Sequence, residues 1–174
     1  MAQVLFNACA IFFGRMNMIK IIKLAVSVLA CLLAAFIGST ATISSIPTWY
    51  AYLLKPAFNP PNWIFGPVWT TLFIMMGIAA FLIWDKGLEK KEVRAALGIF
   101  GLQLILNVLW SVLFFGLHLP LFAFIDIILL WASILATIIY FYGISAAAAY
   151  LLIPYILWVS FASILNLSIV ILNR

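Results

Sequence analysis

The sequence predicts an all-α integral membrane protein: a five-transmembrane-helix bundle with a structured, Pro/Trp-rich first loop. Three observations carry that expectation. Of 174 residues, 68% are hydrophobic and only 7% charged, whereas a soluble domain is nearer half apolar and a quarter charged. Five apolar stretches each approach the roughly 20 residues that cross a bilayer as a helix. The charged residues gather between these stretches and leave their interiors almost bare. The apolar residues run continuously instead of alternating, which argues against transmembrane strands.

Met1 to Met18 read as an N-terminal extension with no assigned role. The apolar run Val4–Phe13 is too short to span, no basic residue precedes it and no clear cleavage site follows. A translation start at Met16 or Met18 is the other reading. Residues 19–174 form the membrane domain. Span 1 covers about 21–43, opened by Lys20 and Lys23, with Gly38, Ser39 and Thr40 near its end, where small residues let a neighbour approach closely.

The segment Pro47–Trp69 holds five of the seven prolines and three of the seven tryptophans. Proline fixes φ and removes a donor, so this stretch cannot be one helix. It reads as a stiff cover rich in amphipathic rings. Thr48 is placed to cap a short helix from Trp49 to Leu54. Asn62 is placed to cap span 2, about 63–84, with Pro67 in an early turn. The connection from Asp85 to Arg94 carries seven charged residues and lies outside the membrane.

Span 3 covers about 95–116. Gln103, Asn107, Trp110, Ser111 and Phe114 fall three or four apart and share one face, which is expected to look inward. Gly98 and Gly101 hint at a close helix contact. Span 4, about 121–142, contains Asp126, the one acidic residue well inside a span. Such a group is a candidate proton carrier, but a structural hydrogen bond to a tryptophan N–H or a loop amide is the favoured use. Span 5, about 147–172, carries Pro154 in its interior and is expected to kink there. Asn107 and Asn166 are expected to hydrogen-bond between helices. His118, alone in a short link, reads as a solvated loop histidine and not as a haem ligand. Cys9 and Cys31 lack metal-ligand spacing, and neither a metal nor a cofactor is expected.

Arg15, Lys20, Lys23, Lys86, Lys90, Lys91 and Arg94 fall on one side of this topology, with only Lys55 and Arg174 on the other. The positive-inside rule then places the N-terminus inside, and the first loop and C-terminus outside. The net charge of +5 is spent on orientation, and no nucleic-acid partner is implied.

These residues also resemble a known family. Trp49-Tyr50, Lys55-Pro56, Pro60-Pro61, Trp63 and Gly66-Pro67-Val68-Trp69 match the loop motif of the translocator protein family (TspO, or peripheral-type benzodiazepine receptor). Gly38-Ser39, Asn107, Trp110-Ser111, Asp126, Pro154-Tyr155, Trp158 and Leu165-Asn166 match it elsewhere. The resemblance covers about 21–172. It implies a homodimeric bundle that binds porphyrins, sterols and benzodiazepine-like drugs between spans 1, 2 and 5, under the first loop. It implies Ser39, Phe65, Gly66, Trp69, Trp158, Ala162 and Leu165 as lining, Phe122 and Ile125 beside them on span 4, and Trp49 and Lys55 in the loop as further contacts. Lys55 is placed to attract a ligand carboxylate or to snorkel. Phe58 stands where the family usually has tryptophan, and Leu167 and Ile171 replace the tyrosine and basic residue of its sterol pattern.

Three functions are therefore expected, in descending order. The first is a tetrapyrrole and lipophile receptor or carrier. The second is a light- or oxygen-dependent porphyrin-degrading enzyme acting through Trp69 and Trp158. The third is an ion-coupled transporter using Asp126.

Overall fold

A computed structural model describes residues 17–173; the N-terminal extension lies almost wholly outside the described residues. The described residues are all-helical and contain no strand. The elements are α1 (Met18–Ser45), α2 (Trp49–Tyr52), α3 (Asn62–Trp84), α4 (Lys91–Ser111), α5 (Pro120–Ile144), α6 (Ala146–Tyr150) and α7 (Ile153–Leu172). A π turn, Val112–Gly116, continues α4. Five segments are long and apolar enough to cross a membrane: α1, α3, α4 with its π turn, α5, and α6 with α7. The protein is thus an integral, multi-pass membrane protein, with spans 1 to 5 in that order.

Each span runs beyond its apolar stretch where polar groups find partners. Span 1 begins at Met18 because the Asn17 side chain accepts from the Lys20 backbone N–H at 3.0 Å. Lys20 Nζ then reaches Asp85, at the end of α3, at 2.7 Å, with Lys23 at 4.0 Å from the same carboxylate. This partly exposed pair fixes the lower ends of spans 1 and 2 to each other, at a worth of about 1 kcal/mol or less. Higher up, Gly77 brings the two helices into backbone contact. A Cβ there would stand 2.6 Å from Val28 Cα.

Three local expectations change. Thr48 precedes α2 but does not cap it; its hydroxyl donates to Ser44 O at 2.8 Å, and α2 stops at Tyr52. Asn62 is the first helical residue, Pro61 holds the cap position, and no side chain caps the helix. Span 5 does not kink within one helix. α6 ends at Tyr150, a turn follows, and α7 restarts at Ile153 with Pro154 in its first turn. There the missing N–H of proline leaves no helical bond unmade, so the break costs less than an interior kink.

Span 3 also departs from a plain α-helix. Its last turn widens, with Leu117 N–H donating to Val112 O at 2.8 Å. The Phe115 carbonyl instead accepts from Ser45 Oγ at 2.6 Å, which ties the tops of spans 1 and 3 together. The link that follows puts His118 at φ 56°, in the left-handed region.

Gly98 and Gly101 meet no other residue within 4 Å of a built Cβ, so they make no close contact inside this chain.

Candidate functional site: an aromatic cavity under the first loop

The inward face of span 3 comes out as its spacing implies. Asn107 Nδ2 donates to the Tyr155 hydroxyl at 2.9 Å, and that hydroxyl donates to Gln103 Oε1 at 2.8 Å. One helical turn above, Trp110 Nε1 donates to Asn166 Oδ1 at 3.1 Å, and Asn166 Nδ2 donates to Pro120 O at 2.9 Å. Asn107 and Asn166 are therefore interhelical partners, joining span 3 to span 5 and span 5 to span 4. Bonds of this kind are worth about 0.6 to 2 kcal/mol each within a membrane. Asp126 is buried, but its Oδ2 has no hydrogen-bond partner among the described residues. Among the described residues, no hydrogen bond joins Asp126 to a tryptophan N–H or a loop amide.

Beside these bonds, with Asn107, Trp110 and Asn166 in its lining, lies a cavity of about 590 Å³, within the ~300–1,000 Å³ typical of small-molecule sites. Spans 1, 2, 3 and 5 wall it, and Tyr50 reaches it from α2. The walls are aromatic. Phe65 meets Trp158 edge-on at 5.9 Å, Trp69 meets Tyr155 edge-on at 6.3 Å, and Trp110 stacks on Phe114 at 5.3 Å. Among the described residues, no Asp, Glu, Lys, Arg or His lines it. The polar groups present are hydroxyls, amides and indole N–H groups. Of these, Trp158 Nε1 is buried with no partner among the described residues. Phe36, Ile43, Trp63 and Thr70 line the cavity and are also exposed, so its mouth lies between spans 1 and 2, on the outward side of two membrane-spanning helices.

Ser39, Phe65, Gly66, Trp69, Trp158, Ala162 and Leu165 all fall on this wall. Phe122 and Ile125 do not. They are more than half exposed on the outside of α5, because its buried stripe runs through Ala123, Asp126, Ile127 and Leu130. Trp49 also stays out of the cavity; its ring stacks on His118 at 4.4 Å and packs edge-on to Phe114 at 5.5 Å. Lys55 turns back on the loop, donating to Ala51 O and Leu53 O, with Nζ 4.8 Å from the Tyr50 ring centre. Its charge is spent there.

Sequence reasoning recognised the inward face of span 3 but did not assign it to the cavity, although Asn107, Trp110, Ser111 and Phe114 all line it. Their spacing was signal enough, given a cavity to face. His118 is exposed in its link, as expected, and it also stacks on Trp49 and sits 3.4 Å from Ser45 Oγ.

The first loop is held by its own contacts. Tyr50 is buried against Phe114 and Phe115, and its hydroxyl donates to Asn59 Oδ1 at 2.8 Å. Burial raises the pKa of that phenol, partly offset by the bond to Asn59. It therefore stays protonated as a donor throughout the physiological range.

Fold and cavity together define a five-helix integral membrane protein with an internal, uncharged, aromatic chamber open between spans 1 and 2. The sequence profile of the TspO/MBR family matches residues 27–172. The chain is 46% identical over 154 residues to the tryptophan-rich protein TspO of Chlorobaculum tepidum, covering 88% of this chain and 98% of that one. It is 47% identical over 155 residues to the TspO of Archaeoglobus fulgidus, covering 88% and 99%. The human translocator protein is 39% identical over 140 residues, covering 79% and 82%. The chain belongs to the TspO/MBR family.

Proposed function

We propose that this protein is a membrane receptor or carrier for porphyrins and related lipophilic ligands, among them sterols and benzodiazepine-like drugs. The single observation that carries the reading is the uncharged aromatic cavity with its mouth between spans 1 and 2. A large flat π-system partitions into lipid, enters sideways between spans 1 and 2, and gains stacking and dispersion against the indole and phenyl walls. The unpartnered Trp158 N–H offers it one directed hydrogen bond. A relative carries the name translocator protein, which is consistent with carriage.

The test is a titration of purified protein with protoporphyrin IX in the dark, followed by the absorbance of the porphyrin itself. Wild type is expected to saturate. Trp69→Phe and Trp158→Phe are expected to weaken binding by roughly three- to thirtyfold, the worth of about 0.5–2 kcal/mol of aromatic contact. Non-saturable uptake that is equal in all three proteins contradicts the reading.

A second reading is favoured by the same two tryptophans. The lining holds no acid–base pair, so the oxidisable group available to an excited porphyrin is an indole. Illumination in air that bleaches the wild-type complex, but not the two variants, supports a porphyrin-degrading activity. Equal bleaching in all three removes it.

The protein is further proposed to be a homodimer with its N-terminus inside and its first loop outside. Gly98 and Gly101 lie open on span 3 beside the exposed Leu102 and Ile105, a small-residue stripe that suits helix pairing. In a cysteine-free background, Gly101→Cys is expected to cross-link two copies. Ala57→Cys is expected to take an impermeant thiol reagent from outside, and Gly87→Cys is expected to resist it. Monomeric Gly101→Cys, or the reverse labelling, contradicts the corresponding part.

A further inference from the structure

Leu54, midway along the first loop, has its backbone tied to span 5 by one side chain. Asn173, at the C-cap of span 5, accepts from the Leu54 backbone N–H through Oδ1 at 2.9 Å and donates to the Leu54 carbonyl through Nδ2 at 2.9 Å. The same Nδ2 also donates to Ile169 O at 2.9 Å, which fixes the amide on its own helix. The primary amide thus stands in for a second strand, pairing with both backbone groups of one residue 119 positions away. Tyr52 is 88% exposed and Leu54 62% exposed, and the neighbouring side-chain contact between the loop and span 5 is Phe58, edge-on to Phe161 at 6.2 Å. At its start the loop is packed, with Trp49 on His118 and Tyr50 buried beneath it. Tyr50 is also the residue of α2 that touches the cavity.

We propose that Asn173 is a positioning residue. It latches the first loop to the end of span 5 and so sets how long a ligand stays beneath Tyr50. This rests on the cavity being a ligand site. The latch acts on release and not on uptake, because the mouth between spans 1 and 2 shares no residue with it. Only asparagine supplies a donor and an acceptor at this reach. Leucine has its shape without either group. Aspartate keeps the acceptor and loses the donor.

The experiment uses the full chain in lipid nanodiscs, loaded in the dark with protoporphyrin IX and chased with excess empty vesicles. Hydrogen exchange at the Leu54 amide is read on the same samples. Asn173→Leu is expected to release the porphyrin about tenfold faster, the scale of one to two neutral hydrogen bonds lost from a closed state. Its uptake rate is expected to stay within about twofold of wild type. Asn173→Asp is expected to fall between the two in release. The Leu54 amide is expected to exchange faster in Asn173→Leu, with the thermal midpoint little changed, because Asn173 is exposed at a helix end. Unchanged exchange at Leu54 overturns the latch. Faster exchange with unaltered release overturns its role in retention. Failure of wild type to take up protoporphyrin IX overturns the proposed function instead, so the two failures are told apart.

Discussion

Gly77→Ala is expected to destabilise the protein by about 1–3 kcal/mol, and Gly77→Leu by more. An added Cβ would stand 2.6 Å from Val28 Cα, 2.9 Å from Val28 Cγ2 and 3.1 Å from Ser27 O. Two of those atoms are backbone, so no side-chain rotation relieves the clash, and spans 1 and 2 have to part. Within a membrane that loss is not recovered by burying the surfaces elsewhere, since lipid tails are as apolar as the helices. Close packing is itself the attraction. The effect also reaches the cavity, whose mouth is formed by the same two spans. The measurement is the thermal midpoint in detergent, with Gly98→Ala and Gly101→Ala as controls. A Cβ at either control position meets nothing within 4 Å. Both controls are expected to be neutral, or to gain the ~0.5–1 kcal/mol that alanine holds over glycine in a helix. A Gly77→Ala protein as stable as these controls would mean that spans 1 and 2 do not touch as described.

The second large effect is on binding. Gly66 lines the cavity in the first half of α3, and a Cβ built there meets nothing within 4 Å. Gly66 is thus a wall position where an added Cβ meets no clash, so a large side chain there is accommodated at the cavity without moving the backbone. Gly66→Trp fills much of the space that a flat ligand needs while leaving the helix intact. The expected result is a loss of protoporphyrin affinity of more than about a hundredfold, because overfilling excludes the ligand instead of merely trimming one contact. Thermal stability is expected to hold or rise, since the indole replaces an empty volume with packed atoms.

Much of this was legible in the sequence, and the reasons differ by element. The five spans follow from apolar length, which lipid enforces without help from tertiary contacts. The polar face of span 3 follows from helical spacing, and its partners Tyr155 and Asn166 could be anticipated only as polar groups on another span. The break before Pro154 was signalled by the proline. Whether the helix bends or restarts there depends on how α6 packs against α3 and α5, which spacing does not encode. The π turn at Val112–Gly116 has no local signature at all, because it exists to release the Phe115 carbonyl to Ser45, 70 residues away.

The cavity divides in the same way. Residues on spans 1, 2 and 5 that the family resemblance implied as lining fell on its wall. Trp49 and Lys55 did not, because a loop side chain points wherever its nearest partners are. For Trp49 that partner is His118, and for Lys55 it is the loop's own carbonyls and the Tyr50 ring. Ile125 precedes the buried Asp126 by one residue, about 100° around the helix, which left it outside. Asn173 was invisible for a simpler reason. It binds backbone, and backbone carries no sequence.

The chamber under the first loop is proposed as the place where a flat lipophile binds. The measurement that tests it most directly is a dark titration with protoporphyrin IX of three proteins side by side: wild type, Gly66→Trp and Phe122→Ala. Phe122 is 56% exposed on the outer face of α5, away from the cavity. Wild type is expected to bind saturably, Phe122→Ala to keep the same affinity within about twofold, and a folded Gly66→Trp to show no saturable binding. Wild-type affinity in Gly66→Trp, with binding lost in Phe122→Ala, would place the ligand on the outside of the bundle and contradict the proposal.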